Sequence, residues 1–131
     1  RLVKKIRPDV SVMASGDEHL LTCFMIGTEG SLVSLAIIIP EEIIGLYRSI
    51  LDNNLEAAVK YHNIIYPLAK SIYGTRPSGY ATARLKTCLK LLGKIPRDKM
   101  RSAMEPLNNI EIENLKKAIS LAGLKLNNYN N

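Results

Sequence analysis

Cys23, Cys88, His19 and His62 are among the side chains of this sequence with the intrinsic chemistry of nucleophiles, metal ligands or proton carriers. A thiolate centre or a metal site needs partners at set spacing. Neither cysteine belongs to a CxxC pair or stands near a histidine at metal-ligand spacing. Both lie among apolar, helix-like neighbours, where a free cysteine packs as a small apolar residue. His19 and His62 have no partner at catalytic or metal spacing and read as surface residues. Acid chemistry centres on Asp17 and Glu18, which follow Ser15 and Gly16. An acid there either complements the dipole of a helix that starts at that point or reaches out to a ligand. Arg84, Lys86, Lys90, Lys94, Arg97, Lys99 and Arg101 form the densest cationic stretch of a chain with net charge +6. Leu85, Cys88, Leu89, Leu91 and Leu92 run through it at helical spacing, so it reads as a solvated helix face plus a basic loop. No zinc finger, RNA-binding signature or aromatic stacking set accompanies it, and no nucleic-acid partner is expected.

The elements that must hold these residues fit one domain, at 131 residues with 47% hydrophobic content. No apolar run approaches the roughly 20 residues of a membrane span. The opening Arg1-Leu2-Val3-Lys4-Lys5 leads into polar Arg7-Pro8-Asp9 instead of a signal-peptide apolar region, so a cytoplasmic protein without a membrane partner is expected. Val10 to Ser15 reads as a short strand ended by Gly16. A helix from Asp17 to Ile26 follows, with Leu20, Leu21, Phe24 and Met25 on its buried face and Gly27 closing it. Ser31 to Ile39 is nearly continuous in apolar residues, which predicts a parallel strand covered on both faces. Pro40, with Glu41 and Glu42 behind it, starts a helix at once. Asn53 and Glu56 have the spacing of a capping box, and the stripe from Leu55 to Ile72 predicts a helix that Pro67 kinks or ends. Residues 74–79 read as a loop, Thr82 to Leu92 as a helix closed by Gly93, and 94–106 as a loop. Asn108 and Glu111 cap a last helix that ends at Gly123, and the tail from Asn127 is expected to fray. Two strands, each followed by a helix, predict a parallel pair. Such a pair cannot by itself form a sheet with both faces covered.

At Ser15-Gly16-Asp17-Glu18 and at Gly30-Ser31-Leu32-Val33-Ser34-Leu35-Ala36 the order resembles the seventh and eighth strands of the dihydrodipicolinate synthase / N-acetylneuraminate lyase barrel. That family writes a strand ending in Gly-x-Asp-Asp or Gly-x-Asp-Glu, then a strand like Gly-Val-Ile-Ser-Val-Thr-Ala that closes on proline, as Pro40 does here. Asn54-Leu55-Glu56-Ala57-Ala58, Leu85 to Gly93, Arg101 to Leu107 and Ala122-Gly123-Leu124 resemble its later segments in order and spacing. The family's asparagine after Ala36 is Ile37 here, and Ala103 stands where the family has proline.

The resemblance implies an α/β fold: residues 1–73 as the last two β/α units of a (β/α)8 TIM barrel, and residues 74–131 as a C-terminal helical extension. It implies a class I aldolase or lyase that makes or breaks a carbon–carbon bond next to pyruvate or another 2-keto acid. A Schiff-base lysine on the sixth strand and a tyrosine from an earlier strand do the chemistry, with no further cofactor and no metal. Both should precede Arg1. Lys4 and Lys5 resemble the end of the sixth helix, so the chain alone is expected to be inactive. What it would supply is substrate-binding wall: Ser15 and Gly16 at one strand end, Leu32 beside the pyruvate methyl, and Glu18 and Ser34 toward sugar hydroxyls. Glu18 reads equally as a first-turn acid, and Ser34 as a small residue packed in the barrel. Complete relatives are homotetramers built partly through the helices after the barrel. A noncatalytic helical assembly module is the alternative. Within the family, N-acetylneuraminate and 2-keto-3-deoxy sugar acid cleavage compete with aspartate semialdehyde condensation.

Overall fold

The computed structural model describes residues 5, 8–75, 77–101 and 104–127. They form two compact units, residues 1–65 and residues 66–131.

In the first unit, β1 (Met13–Ala14) pairs in parallel with β2 (Gly30–Ser31), Met13 opposite Gly30 and Ala14 opposite Ser31. The crossover is a 3-10 turn, Asp17–His19, running straight into α1 (Leu20–Met25). The parallel pairing expected of the sequence is therefore present. Leu20 and Phe24 are buried one helical turn apart, while Met25 faces solvent. Gly27 closes α1 at φ 93, a conformation that a side-chain-bearing residue seldom adopts.

The predicted strand Ser31 to Ile39 is cut short. Strand pairing stops at Ser31, and Ser34–Ile37 is a 3-10 turn. Burial explains the difference: Leu35, Ile38 and Ile39 are buried while Ile37 is exposed. Spacings of three and four belong to a helical face, and apolar continuity alone cannot separate that from a doubly covered strand. The turn leads into α2 (Pro40–Leu51), with Pro40 at its start and Glu41 and Glu42 in its first turn. Ile43 and Leu46 face inward from α2. Phe24 meets Tyr47 edge-on, with ring centroids 5.0 Å apart. Such a pair adds about 0.5–1.5 kcal/mol to the burial of the rings themselves. The Tyr47 hydroxyl donates to the Glu29 carbonyl at 3.0 Å, so the same ring steadies the approach to β2.

The turn after α2 corrects the predicted capping box. Asn53 takes a left-handed φ of 56, and its N–H donates to the Ile50 carbonyl while that of Asn54 reaches Ser49. Asn53 thus closes α2, a place that tolerates asparagine where most residues are strained. Asn54 is the residue that caps the next helix, its Oδ1 accepting the Ala57 N–H at 3.0 Å. Glu56 pairs with Lys60 on the surface instead. That helix, α3 (Leu55–Tyr73), continues through Pro67, so the proline does not end it.

In the second unit, α4 (Ala81–Leu91) packs against α5 (Asn109–Leu121). Asn108 and Glu111 form the predicted capping box. Leu85 and Cys88 of α4 and Leu115 and Ile119 of α5 are buried. Arg84 overturns the reading of the basic stretch as a wholly solvated face, since it is 1% exposed. Its Nη1 lies 3.3, 3.2 and 3.3 Å from the carbonyls of Ile72, Thr75 and Pro77. Its Nη2 is 2.9 Å from Glu111 Oε1. A planar guanidinium with five donors can serve several carbonyls and a carboxylate at once, which an ammonium cannot. Asn127 is fixed by its backbone N–H on the Leu91 carbonyl at 2.8 Å, so fraying does not begin there; the rest of that tail, 128–131, lies outside the described residues.

Candidate functional site

Parallel strands present their C-terminal ends on the same side, and here those ends carry four of the five residues singled out in the sequence. Ser15 and Gly16 follow β1 directly, and Leu32 and Ser34 follow β2. Beyond the last strand pair, the Leu32 N–H still donates to the Ala14 carbonyl at 3.0 Å, which holds Leu32 beside the exit of β1. Ser15 and Ser34 are exposed and Leu32 is 84% exposed. Gly16 is partly exposed at φ 88, and a Cβ there would meet nothing closer than 3.5 Å, on His19. Backbone conformation, not crowding, is what calls for glycine there. The fifth residue, Glu18, is partly buried in the turn that follows.

Asp17, which the sequence offered as an acid of a helix's first turn, makes a bond that the sequence did not show. It is buried, and its Oδ1 accepts the Leu35 N–H at 2.8 Å. That bond joins the neighbour of Glu18 to the neighbour of Ser34 across 18 positions of sequence. Burial pushes the Asp17 carboxyl above its ordinary value, and hydrogen bonds from the backbone of Leu35 and of Asp17 itself restrain the rise. A first-turn acid beside a left-handed glycine was the available signal. Its partner 18 residues downstream was not readable.

The other candidates lie apart from the strand tips. Cys88 is buried, with its thiol pushed up to about 12 by desolvation, and Cys23 is partly buried. His19 is exposed, whereas His62 is partly buried on α3, where burial lowers its pKa. Lys5 is helical and exposed, and Lys4 lies outside the described residues. Among the described residues no lysine is buried, and no group of three His, Cys, Asp or Glu could hold a metal ion. No described helix is long and apolar enough to cross a membrane.

Among the described residues, two cavities of the second unit stand out, and neither includes a strand-tip residue. One of about 500 Å³ lies between Lys90, Lys94, Pro96 and Asn127. Another of about 720 Å³ runs from Ala83 and Thr87 past Asp98 to Leu107. At its wall, Asp98 accepts from Thr87 at 3.0 Å and from Lys90 at 2.9 Å. Burial pushes the Asp98 carboxyl up, but these two donors and its own backbone N–H together hold it below the ordinary carboxylate value.

Comparison with known proteins gives this geometry its context. The model of the dihydrodipicolinate synthetase family matches residues 1–122. The 4-hydroxy-tetrahydrodipicolinate synthase of Endomicrobium trichonymphae is 30% identical over 122 residues, 91% of this chain and 40% of that protein. The crystal structure of dihydrodipicolinate synthase from Thermotoga maritima superposes with a TM-score of 0.81 at 22% identity, over 95% of this chain and 40% of that one. N-acetylneuraminate lyase from Fusobacterium nucleatum gives a TM-score of 0.77 at 22% identity, over the same two shares. The fold described above is thus shared with TIM-barrel enzymes, and the chain spans about 40% of the length of such relatives.

Proposed function

This chain belongs to the dihydrodipicolinate synthetase family of aldolases and lyases, and from that premise we propose that it forms the closing part of a pyruvate-dependent aldolase. In this reading β1 and β2 are the seventh and eighth strands of a (β/α)8 barrel, residues 1–73 being its last two β/α units and 74–131 a helical extension. Their tips line the keto-acid site, because barrel enzymes place their chemistry at the C-terminal ends of the strands. The observation that carries the proposal is the parallel register that sets Ser15 and Gly16 beside Leu32.

The chemistry is Schiff-base catalysis. A lysine amine condenses with the keto carbon of pyruvate and releases water. The protonated imine then takes up the electron pair left when a bond to the neighbouring carbon breaks. Removing a methyl proton gives an enamine that adds to an aldehyde, and the reverse path cleaves the bond. Leu32 would sit against the pyruvate methyl, and the backbone of Ser15 and Gly16 beside the bound acid. Glu18 and Ser34 would face the hydroxyl-bearing part of the second substrate. The amine needs an enclosed, apolar setting to be free of its proton at neutral pH. The family pattern puts Lys4 and Lys5 at the end of the sixth helix, so in this reading the reactive lysine belongs to a segment outside this chain, as does the proton-relaying tyrosine. The complete enzyme would be a cytoplasmic homotetramer.

Borohydride reduction in the presence of pyruvate tests this. The chain alone is expected to stay unlabelled. The product read in frame from upstream of Arg1 is expected to carry a strand-borne lysine and to take up one pyruvate. A covalent adduct on the chain alone, or an in-frame stop with a genuine start at that place, would overturn the assignment. A second reading, a noncatalytic assembly module, draws on Ile110 and Leu121, 74% and 73% exposed on α5. It requires self-association of the chain by sedimentation with no gain of activity on extension.

A further inference from the structure

The strand-tip segment of β2 is held at both of its ends, and only one of the two anchors is backbone. At the near end Leu32 donates to the Ala14 carbonyl of β1. At the far end Leu35 donates to the carboxylate of Asp17. We propose that Asp17 is a positioning residue for the site: by accepting the Leu35 N–H, its carboxylate sets the backbone of Leu32 to Leu35 against Ser15 and Gly16. The inference rests on the reading of these tips as a keto-acid wall, and deepens it by naming what holds the wall in place.

Each part of the arrangement follows from local chemistry. The first N–H groups of a helical turn have no acceptor within the turn and need one from elsewhere. Leu35 lies near the start of the turn Ser34–Ile37 and is fully buried, so water is poorly placed to serve its N–H. Asp17 supplies the acceptor from the other strand tip. It can do so because Gly16, at φ 88, turns the chain sharply after β1, and the His19 N–H closes the following turn on the Gly16 carbonyl at 3.0 Å. Asp17 itself is 6% exposed, so its carboxylate is committed to this contact and is not offered to solvent. A bond from an N–H to a carboxylate is shorter and stronger than one to a neutral acceptor, which suits a single tie that must fix an exposed segment. Ser34, exposed next to the tied residue, takes its place from that tie. The acids of Asp17-Glu18 thereby divide their roles: the first orders the wall, and the second remains for ligand.

The test is nuclear magnetic resonance on the labelled chain, with D17N and D17A. A through-hydrogen-bond coupling between the Leu35 nitrogen and the Asp17 carboxyl carbon is expected in the parent. D17N keeps an acceptor in place, so it should retain the parent's Leu35 exchange rate and the parent's N–H directions at Leu32 and Ser34, read from residual dipolar couplings. D17A should speed Leu35 exchange by about tenfold or more, and should turn the Leu32 and Ser34 vectors while α4 and α5 keep theirs. If D17A leaves those vectors unchanged, Asp17 only stabilises the fold and the proposal fails. Should D17A not fold, the proposal fails if the parent lacks the coupling or if D17N loses it with the tip unmoved. None of these readouts involves pyruvate. Failure here leaves the keto-acid reading standing, and a failed borohydride experiment leaves the tie standing.

Discussion

Replacing Arg84 by methionine keeps much of the side chain's bulk and removes its charge and all its donors. The guanidinium donates to the carbonyls of Ile72, Thr75 and Pro77, and each such bond contributes about 1 kcal/mol net. The pair with Glu111 adds about 1 kcal/mol, since that carboxylate is 23% exposed and partly screened. Methionine recovers about 1 kcal/mol through its buried methylenes. The expected cost is therefore about 3 kcal/mol, a large part of the roughly 5–15 kcal/mol that holds a domain of this kind together. With a urea slope of about 2 kcal/mol per M, the midpoint should fall by about 1.5 M. Glu111→Gln should cost about 1 kcal/mol, because the three carbonyl bonds survive it. In the double variant the two losses should not add, leaving a coupling of about 1 kcal/mol. An Arg84→Met cost below about 0.5 kcal/mol, the range of ordinary surface changes, would refute the view that these carbonyls depend on the guanidinium.

Two further outcomes follow from titrating groups. Cys88, buried and pushed up to about 12, should resist thiol reagents at pH 8 in the folded chain while Cys23 reacts, and both should react after unfolding; modification of Cys88 without unfolding would contradict its burial. Asp98 is held below its ordinary value of 3.8. The folded state thus favours its charged form, and the resulting stability is present above that value and is lost as pH falls through the lower folded value. Unfolding curves of the parent and Asp98→Asn should accordingly converge as pH drops below about 4 and stay apart at neutral pH.

What the sequence made legible was punctuation. Pro40 starts a helix, Gly27 and Gly93 end two others, and Asn108 with Glu111 caps the last, because each acts through its own backbone within a turn. The placement of Ser15 and Gly16 at a strand end followed from that punctuation and from the family pattern, whereas Leu32 and Ser34, expected within a strand from Ser31 to Ile39, lie beyond the end of β2. What escaped depends on partners distant in sequence. The stretch from Ser34 to Ile37 became a turn where its apolar run predicted strand, and the Asp17 bond that meets it arises 18 positions away. Arg84 sits in a run of cations whose others are exposed or partly so, and only the carbonyls at the end of α3 and the carboxylate of α5 reveal why it is buried. The choice of Asn54 over Asn53 as the cap turned on a single left-handed residue, which two adjacent asparagines do not distinguish.

The proline within α3 has a practical consequence. Its ring nitrogen has no hydrogen for the Asn63 carbonyl, so one rung of the helical ladder is missing there, and Asn63 is exposed enough for water to take its place. The division between the two compact units falls between Ile65 and Tyr66, inside this same turn. New termini introduced at that point, in a split or circularly permuted version, would sever one helical rung fewer than a cut in an uninterrupted part of the helix. Engineers wishing to express the strand-bearing portion apart from the helical one have their cutting place marked by that ring.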